Sequence, residues 1–502
     1  MHWPDNRVAI AGLPAAAGHV AARDGTSDER DSRTTYDPTT VAHLVAQLFV
    51  EAGFDAEHAG TDRWNPLREI IRPGDRVLVK PNWVHHNNKS GAGLESLITN
   101  ATVLAAVLEY VVRADPGEVV VADAPIQGCD LPRMLAEGGY EEVREEFARR
   151  GAPVFWDDLR RSTLEKSGSD WERRSDLRPV DQYVLYDVGA DSLLEPISVD
   201  ADRFRVTMYN PDLMRATHAP GRHQYLIARE AIDADVVVNL PKLKTHKKAG
   251  LTGALKNLVG INGNKDYLPH HRLGGSSTGG DCYEGGNRLK LLAEQLADGA
   301  NRRGGAAARL LWQAQRATYG LLKVSGVDTD LEGSWHGNDT VWRMSLDLNR
   351  ILRFGRPDGT LAEEPQRRVL SITDAIVCGE GEGPLAPTPR WLGILTMACN
   401  AAAAELVHAH IMGLDWQKIH IVREAFGDFR FPICDFAPEA VEIVTGGAVL
   451  RQPWPVLNPR PFVPPRGWAG HCEAAWAREL TAGADVSSSV DTTGSGTVPP
   501  RH

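Results

Sequence analysis

The sequence predicts an α/β fold with a mostly parallel sheet flanked by helices. Short apolar runs alternate with segments whose apolar residues recur at helical intervals, which is typical of layered α/β architectures. The run of valines at 236–238 indicates a strand buried on both faces of a parallel sheet. The order of strand, helix and strand between residues 76 and 123 suits parallel strands joined by a crossover helix.

The first 125 residues contain three predicted strands and two predicted helices. The strands are the short apolar runs at 8–12, 76–79 and 118–123. A helix over 39–53 is predicted from apolar residues at helical spacing, with Gly53 as its end. The second helix begins after Asn100, a residue type that commonly caps helix N-termini.

The middle of the chain is less regular, and we expect an antiparallel insertion around 180–210. Two predicted strands lie there, at 182–189 and 203–210. The later predicted elements are a helical stripe from Asp339, a strand ending at Asp374 before a glycine-rich loop, a helix over 401–415 and a strand over 418–424.

The predicted domain organisation is one α/β region over residues 1–480. Its two lobes would span about 1–235 and 236–480. The polar segment 483–502 is low in aromatic residues and is predicted to be a disordered tail.

Composition and charge argue against several classes of protein. With 42% hydrophobic and 24% charged residues, the 502-residue chain has ordinary globular composition. Its formal net charge of −11 argues against a nucleic-acid binder. Residues 1–20 lack the pattern of a secretory signal, and no run of about 18 apolar residues occurs, so we expect a cytoplasmic protein without membrane contact. The six cysteines form no CxxC pair, so no iron–sulfur cluster is expected.

Polar side chains follow four of the predicted strands at their carboxyl ends. Ligands of open parallel sheets bind outside these ends, so the pattern predicts one shared site. The residues concerned are Lys80 with Asn82, Asp123, Asn239 with Lys242, Lys244 and His246, and Asp374 followed by Glu380 and Glu382.

The lysine-rich segment after the strand at 236–239 is the most informative part of this pattern. The sequence predicts a strand, a basic loop and a helix from about Leu251, which would aim backbone N–H groups and lysines at one point and favour an anion. The members expected to be functional are Lys242, Lys244 and His246, and those expected to be solvated are Lys247 and Lys248.

Weaker candidates lie further along the chain. Asn338 and Arg343 stand where a glycine turn leads into a helix, and we predict that they bind substrate. The neighbouring Asp339 is either the cap of that helix or a catalytic or metal-binding residue. His270 and His271 are metal ligands by residue type, but adjacent side chains in a loop do not fix coordination geometry, so a solvated pair is the better hypothesis.

Several blocks of the sequence together resemble the domain-of-unknown-function 362 family. The resemblance is collinear over about residues 75–425 and includes VLVKPNW, VVVADAP, VVVNLPKLKTHKKAGLTGALKNLVG, WHGNDTVWRMSLDLNRIL, DAIVCGEGEGPLAPTP and HIMGLD. It implies an α/β fold and one shared site, but no particular activity. Some members of the family carry ferredoxin-type cysteine motifs, which this chain lacks.

These observations favour an enzyme that acts on a small anionic substrate, a carboxylate or a phosphate. The predicted substrate-binding residues are Lys80, Asn82, Asn239, Lys242, Asn338 and Arg343, and the predicted catalytic residues are His246, Lys244 and Asp123. His246 is the candidate acid or base because its unperturbed pKa lies nearest neutrality and adjacent lysines would lower that pKa.

A divalent cation such as Mg²⁺ fits the acidic residues of the same pattern. Its predicted oxygen ligands are Asp374, Glu380 and Glu382. The alternative function is a non-catalytic binding or redox-partner protein that docks an acidic cofactor or partner through its basic loop.

Overall fold

The computed structural model of the chain describes residues 3–12, 35–167, 170–174, 177–303 and 305–480. Its strands, numbered in chain order, are β1 (Arg7–Ala11), β2 (Arg76–Pro81), β3 (Glu118–Asp123), β4 (Val154–Asp158), β5 (Thr163–Ser167), β6 (Asp170–Arg174), β7 (Tyr183–Asp187), β8 (Phe204–Arg205), β9 (His218–Ala219), β10 (Arg222–Ala228), β11 (Val236–Leu240), β12 (Lys242–His246), β13 (Gly250–Thr252), β14 (His271–Arg272), β15 (Arg368–Glu382), β16 (Ala386–Ala398), β17 (Glu442–Thr445) and β18 (Ala448–Leu450).

The longer helices span Pro38–Ala52, Ala101–Arg113, Tyr140–Arg149, Arg288–Asn301, Gly305–Val324, Val341–Phe354 and Ala401–Met412. Shorter helices span Leu131–Glu137, Pro211–Thr217, Arg229–Ile232, Ala254–Asn257 and His420–Arg423. The predicted cap at Asn100 is confirmed, because its side chain accepts a hydrogen bond from the Thr102 N–H over 2.9 Å. None of the helices in these described ranges is long and apolar enough to cross a membrane.

A large mixed sheet confirms the predicted α/β class. Its strand order is β18-β17-β1-β16-β15-β11-β2-β3-β4, and the five strands from β15 to β4 run parallel to their neighbours. The strand β16 pairs antiparallel with both β15 and β1. Strands from before and after residue 235 alternate in this sheet, so a division into lobes at that residue would separate hydrogen-bonded neighbours.

Helices cover both faces of the parallel strands. Val236 and Val238 join one apolar core, which includes the helices Pro38–Ala52 and Ala101–Arg113. Val237 points to the opposite face and joins a second core, which includes the helix Val341–Phe354. Alternate side chains of a strand point to opposite faces, so a run of valines is what such a doubly covered strand requires.

The predicted antiparallel insertion is present, but its strands are not the pair that the sequence suggested. β7 pairs antiparallel with β10, which in turn pairs with β9. The predicted strand at 203–210 was wrong beyond its start, because only Phe204 and Arg205 form a strand, β8, and it pairs with β14. The partner of β7 is therefore the strand at 222–228, and the apolar run at 203–210 that the sequence suggested does not pair with it.

The region around the lysines differs most from the prediction. The expected basic loop is the strand β12, which pairs with β15 and with β13. The expected helix from Leu251 was wrong, because Gly250–Thr252 pairs with β12 and the helix begins only at Ala254. The glycine-rich segment after Asp374 is also strand, since β15 continues to Glu382 and forms a long hairpin with β16.

Two further predictions concern the C-terminal part. The expected strand over 418–424 was wrong, because His420–Arg423 is a short helix whose apolar residues are packed in the core. The predicted disordered tail, 483–502, lies outside the described residues.

Candidate functional site

Three of the four polar segments lie side by side at the carboxyl ends of β2, β3 and β11, whereas Asp374 lies inside the longer strand β15, in register with Lys242. The strands β15, β11, β2 and β3 are consecutive in the sheet, and Asn239 is in register with Lys80 on one side and Ser371 on the other. Since β2, β3 and β11 are parallel neighbours, their carboxyl ends lie at one edge of the sheet, and β15 continues past that edge to Glu382. The strand β12 then extends beyond that edge, carrying Lys242, Lys244 and His246.

Lys80 and Asp123 form a buried ion pair at this edge. The Lys80 Nζ lies 2.7 Å from the Asp123 Oδ1, and both side chains are almost completely buried. The Asp123 carboxylate also accepts hydrogen bonds from the backbone N–H groups of Trp83 and Ala124, over 2.7 and 2.8 Å. Burial raises the pKa of Asp123 and lowers the pKa of Lys80, and in each case the partner's charge opposes the shift.

Lys242 forms a second buried pair with Asp374. Its Nζ lies 2.5 Å from the Asp374 Oδ2 and 2.8 Å from the Tyr36 hydroxyl. The Tyr36 hydroxyl donates to the other carboxylate oxygen over 3.0 Å, and the Asn100 N–H donates to Oδ2 over 2.9 Å. Because Lys242 and Asp374 are both 0% exposed, this structure shows them as part of the protein interior.

Lys244 is also fully buried, but neutral groups hold its ammonium. The Lys244 Nζ donates to the Asn82 Oδ1 over 2.6 Å and to the Leu97 carbonyl. Burial is the largest cause that lowers the pKa of Lys244 well below its ordinary value, and the charge of Lys242 lowers it further. This arrangement therefore favours a neutral amine more than either of the two ion pairs does.

Asn257 connects the strand ends to one another. Its Oδ1 accepts from the Asn82 Nδ2 over 2.8 Å, and its Nδ2 donates to the Asn239 Oδ1 over 2.7 Å. The Asn239 Nδ2 donates onward to the Ala254 carbonyl and the Ser371 hydroxyl. These buried amides fix the relative positions of β2, β11 and the helix Ala254–Asn257, since each amide has partners on both its oxygen and its nitrogen.

Five cationic or titratable side chains lie together beside these groups, and we refer to them as the basic cluster: His246, Lys248, Lys256, Lys265 and His270. Burial lowers the pKa of Lys256 to about 7, and the charges of Lys265, Lys248 and Lys80 add to the effect. The pKa of Lys265 falls to about 8, mainly through burial. Burial and the cluster lysines also hold the pKa of His270 well below its ordinary value.

The basic cluster has few negative partners. Among the residues that the structure describes, neither Lys256 nor Lys265 has a hydrogen-bond or ion-pair partner for its ammonium. The Lys248 Nζ donates to the Thr207 hydroxyl over 3.3 Å and lies 4.0 Å from the Glu332 Oε2, a long separation for an ion pair. The three lysines are half-buried rather than extended into solvent. An excess of positive charge in this position is suited to an anionic ligand.

His246 uses one ring nitrogen for the local backbone. Its Nδ1 accepts hydrogen bonds from the Lys248 and Ala249 N–H groups, over 3.0 and 3.2 Å. In the neutral ring the proton is therefore assigned to Nε2. Burial, followed by the charges of Lys256 and His270, holds the pKa of His246 well below its ordinary value. Lysine charge thus lowers the pKa of His246, in the direction that the sequence predicted. The Nε2–H group is the part of the ring that can donate a hydrogen bond to a ligand.

Asn338 and Arg343 are engaged with the surrounding protein. The Asn338 Oδ1 accepts from the Thr340 and Val341 N–H groups, and its Nδ2 donates to two backbone carbonyls. The Arg343 guanidinium lies 3.1 Å from the Asp339 carboxylate and also donates to a carbonyl of another loop. These contacts hold the start of the helix Val341–Phe354. The prediction that both residues bind substrate stays a prediction.

The three predicted cation ligands are not brought together. Asp374 is paired with Lys242, whereas Glu380 and Glu382 accept hydrogen bonds from the N–H groups of Val463 and Arg466. Six residues of extended strand separate Asp374 from Glu380, a distance of roughly 20 Å. One ion cannot bind all three carboxylates in this conformation, because the segment that the sequence suggested was a loop continues as part of the strand β15.

Sequence reasoning missed most of the basic cluster. Sequence analysis assigned no role to Lys256 or Lys265, and Lys248 and His270 were expected to be solvated although both are half-buried. A helical repeat could not have placed Lys256, because its helix is only four residues long.

A separate cavity of about 390 Å³ is lined by none of the cluster residues. Its arginines are mostly neutralised by aspartates: Arg203 with Asp200, Arg215 with Asp202, and Arg302 with Asp212. Paired and largely exposed charges of this kind do not favour an anion as the lysine cluster does. We therefore keep the basic cluster as the candidate site.

Comparison with known proteins bears out the family resemblance for a segment of the chain. Residues 174–410 match the family described as Domain of unknown function (DUF362). The thylakoid-associated protein sll1697 of Synechocystis sp. is 27% identical over 352 residues, which cover 70% of this chain and 66% of the relative, slightly less than two thirds of its length. A crystal structure of a protein from Thermotoga maritima aligns with 11% identity and a TM-score of 0.29, over 71% of this chain and 54% of that one.

Proposed function

We propose that this chain, whose residues 174–410 match a family described only as a domain of unknown function, is an enzyme that acts on a small anionic substrate. The substrate class is a carboxylate or a phosphate. The observation that supports the proposal most strongly is the pair of half-buried lysines, Lys256 and Lys265, whose ammonium groups have no partner among the described residues.

The physical reason is the high free energy of an ammonium that is withdrawn from water without a counter-charge. The two lysines with buried carboxylates, Lys80 and Lys242, already have their charge compensated. A bound anion would compensate the charge of Lys256 and Lys265 in the same way. A small molecule can approach half-buried lysines more closely than the flat surface of a partner protein can. This favours an enzyme substrate over a docked partner.

The proposed roles follow from the protonation states. Lys256, with a pKa of about 7, is near the value at which a group both gives and takes a proton at neutral pH. Lys265 and Lys248 would hold the anion, and the Nε2–H of His246 would donate a hydrogen bond. Asp123 keeps Lys80 charged and in place, and Lys244 holds Asn82. Of the residues that the sequence predicted to be catalytic, His246 keeps a direct role in this proposal. Asp123 and Lys244 act by positioning Lys80 and Asn82.

The proposed reaction allows a divalent cation such as Mg²⁺ to take part. Asp374, Glu380 and Glu382 cannot all bind that ion together. A cation would arrive with an anionic substrate or use other ligands. The metabolite screen that tests the proposal is therefore run both with and without Mg²⁺.

The proposed compartment is the cytoplasm. All six cysteines are free thiols, as is usual in reducing compartments. The relative from Synechocystis is described as thylakoid-associated, so fractionation of cells that express this chain is the appropriate test. Recovery of the chain with washed membranes would contradict the proposal.

The test of function is a metabolite screen by thermal denaturation, on the wild type and on the Lys256→Met/Lys265→Met double variant. A ligand present at a hundred times its Kd adds about 2.7 kcal/mol to the free energy of unfolding. We expect carboxylates or phosphates to stabilise the wild type alone. Stabilisation only by acidic proteins or by large acidic cofactors would favour the docking alternative.

A further inference from the structure

A second group of potential ligands lies next to the basic cluster. His271, Cys282 and Glu294 each place one ligand atom so that all three atoms lie within 4.8 Å of one another, and all three side chains are buried. They come from three separate parts of the chain, namely β14, the loop after it and the helix Arg288–Asn301. The three residues are 11 and 12 positions apart in the chain, and the fold of this segment brings an imidazole, a thiol and a carboxylate together.

The imidazole of His271 provides an independent observation. The residue is 4% exposed, and its Nδ1 is buried without a hydrogen-bond partner. A buried polar atom without a partner is destabilising, so this nitrogen calls for a physical explanation. A metal ion is one species that would satisfy an imidazole nitrogen, and a nitrogen of this ring lies within 4.8 Å of ligand atoms of Cys282 and Glu294.

We propose that His271, Cys282 and Glu294 form a binding site for a divalent transition metal, with Zn²⁺ as the best-fitting ion. One nitrogen, one sulfur and one oxygen are borderline donors that suit zinc, whereas Mg²⁺ prefers oxygen ligands alone. Three protein ligands leave a fourth tetrahedral position for water or another small ligand. On binding, the thiol becomes a thiolate and its proton passes to solvent.

The separations are compatible with this ion. Ligand atoms at bond lengths of about 2.0 and 2.3 Å from a tetrahedral zinc lie roughly 3.6 Å apart. The observed limit of 4.8 Å thus requires side-chain adjustments of about 1 Å, which rotations about the χ angles provide.

Other contacts hold the ligands in position. The Glu332 N–H donates to the Cys282 Sγ over 3.0 Å. The Gly274 N–H donates to the Glu294 carboxylate over 3.2 Å. Hydrogen bonds of this kind orient ligands and tune the ion in known metal sites. The site also adjoins the basic cluster, since His271 follows His270 directly and Glu332 lies 4.0 Å from the Lys248 ammonium.

The proposal is tested with metal alone, so its outcome does not depend on the anionic substrate. The full-length protein is treated with a chelator and titrated with Co²⁺, which reports a thiolate ligand by a sulfur-to-cobalt charge-transfer band. We expect about one tightly bound equivalent with this band. Zn²⁺ should displace the cobalt and remove the band.

Matched variants identify the ligands. Cys282→Ser should abolish the charge-transfer band, and Glu294→Gln should weaken binding at least as much as the roughly 10- to 100-fold loss seen when a supporting residue is removed. Cys399→Ser is the control, because Cys399 is a half-buried free thiol outside the group. A saturable band that persists in Cys282→Ser would overturn the assignment, as would the absence of tight Co²⁺ and Zn²⁺ binding in the wild type.

X-ray absorption at the zinc edge of the wild-type protein keeps the test independent of any folding defect in the variants. The proposal requires one sulfur at about 2.3 Å, with nitrogen or oxygen neighbours near 2.0 Å. A zinc shell that contains only nitrogen and oxygen would contradict it.

Discussion

The Lys80 ammonium lies 2.7 Å from the Asp123 carboxylate, and Gly260 packs directly against both groups. A β-carbon at position 260 would lie 1.9 Å from the Asp123 Oδ1 and 2.8 Å from the Lys80 Nζ. The pair is therefore formed by the strands β2 and β3 and closed by a segment more than a hundred residues later in the chain. Glycine is required at position 260 because the backbone there lies too close to the ion pair to leave room for a side chain.

We predict that Gly260→Ala destabilises the protein by about 1–3 kcal/mol, because an inserted methyl group forces its neighbours apart. Urea denaturation measures the change in the free energy of unfolding. Gly320→Ala is the control, since Gly320 lies in the helix Gly305–Val324 with open space around it. That variant should be up to about 1 kcal/mol more stable, because alanine is the better helix former. Equal effects at the two positions would contradict the packing described above.

The buried pair of Lys242 and Asp374 gives a second prediction. Lys242→Met should lower the free energy of unfolding by about 3–5 kcal/mol, because it leaves a buried carboxylate without its counter-charge. The double variant Lys242→Met/Asp374→Asn should recover part of that loss, since the uncompensated charge is gone. Chemical denaturation of both variants at pH 7 is the measurement. If the double variant were no more stable than Lys242→Met, the uncompensated charge of Asp374 would not be the cause of the lost stability.

The sequence predicted the positions of the parallel strands well because their signal is local. Continuous apolar runs ending in Lys80, Asp123 and Asn239 fit strands buried on both faces, and the structure places all three side by side. The same reasoning failed after Pro241 and Asp374, where proline and glycine suggested that the strands end. There, pairing between β12 and β15 continues the sheet, and only tertiary contacts reveal it.

The charge of the site was the less predictable part. Lys242 and Lys244 were recognised from their position after a strand, but the sequence could not show that one has a carboxylate partner and the other has only neutral acceptors. Asp374 lies more than 130 residues from Lys242 in the chain. Lys256 and Lys265 stand out because they are half-buried without a counter-charge. The spacing of residues along the chain carries no information about burial or counter-charges.

His246 offers a substitution pair that separates structure from chemistry. His246→Gln should cost about 1–3 kcal/mol of stability, because the Lys248 and Ala249 N–H groups lose the acceptor that the imidazole Nδ1 provides. His246→Asn should be better tolerated, since a short amide oxygen accepts bonds from N–H groups two or three residues on. Thermal melts compare the two variants. If asparagine destabilised the protein more than glutamine, the imidazole would not be acting as the acceptor for this turn.

The pKa of Lys256 predicts a pH dependence of stability. Its pKa is about 7 in the folded protein and near 10.4 in an unfolded chain. Between these values the unfolded state binds more protons, so this residue makes the free energy of unfolding rise with pH, and the effect is complete above the unfolded pKa. Lys256→Met should therefore flatten the rise seen in the wild type between pH 7 and 10, as followed by denaturation. Lys323→Met, which changes an exposed lysine, should leave the profile unchanged.

Calorimetric titration with inorganic phosphate, and separately with acetate, at fixed ionic strength and pH 7 tests most directly whether the basic cluster is an anion site. The account predicts saturable binding of at least one of these anions to the wild type and to Lys323→Met, and loss of that binding in Lys256→Met/Lys265→Met. Absence of saturable binding by the wild type, or undiminished binding by the double variant, would contradict it.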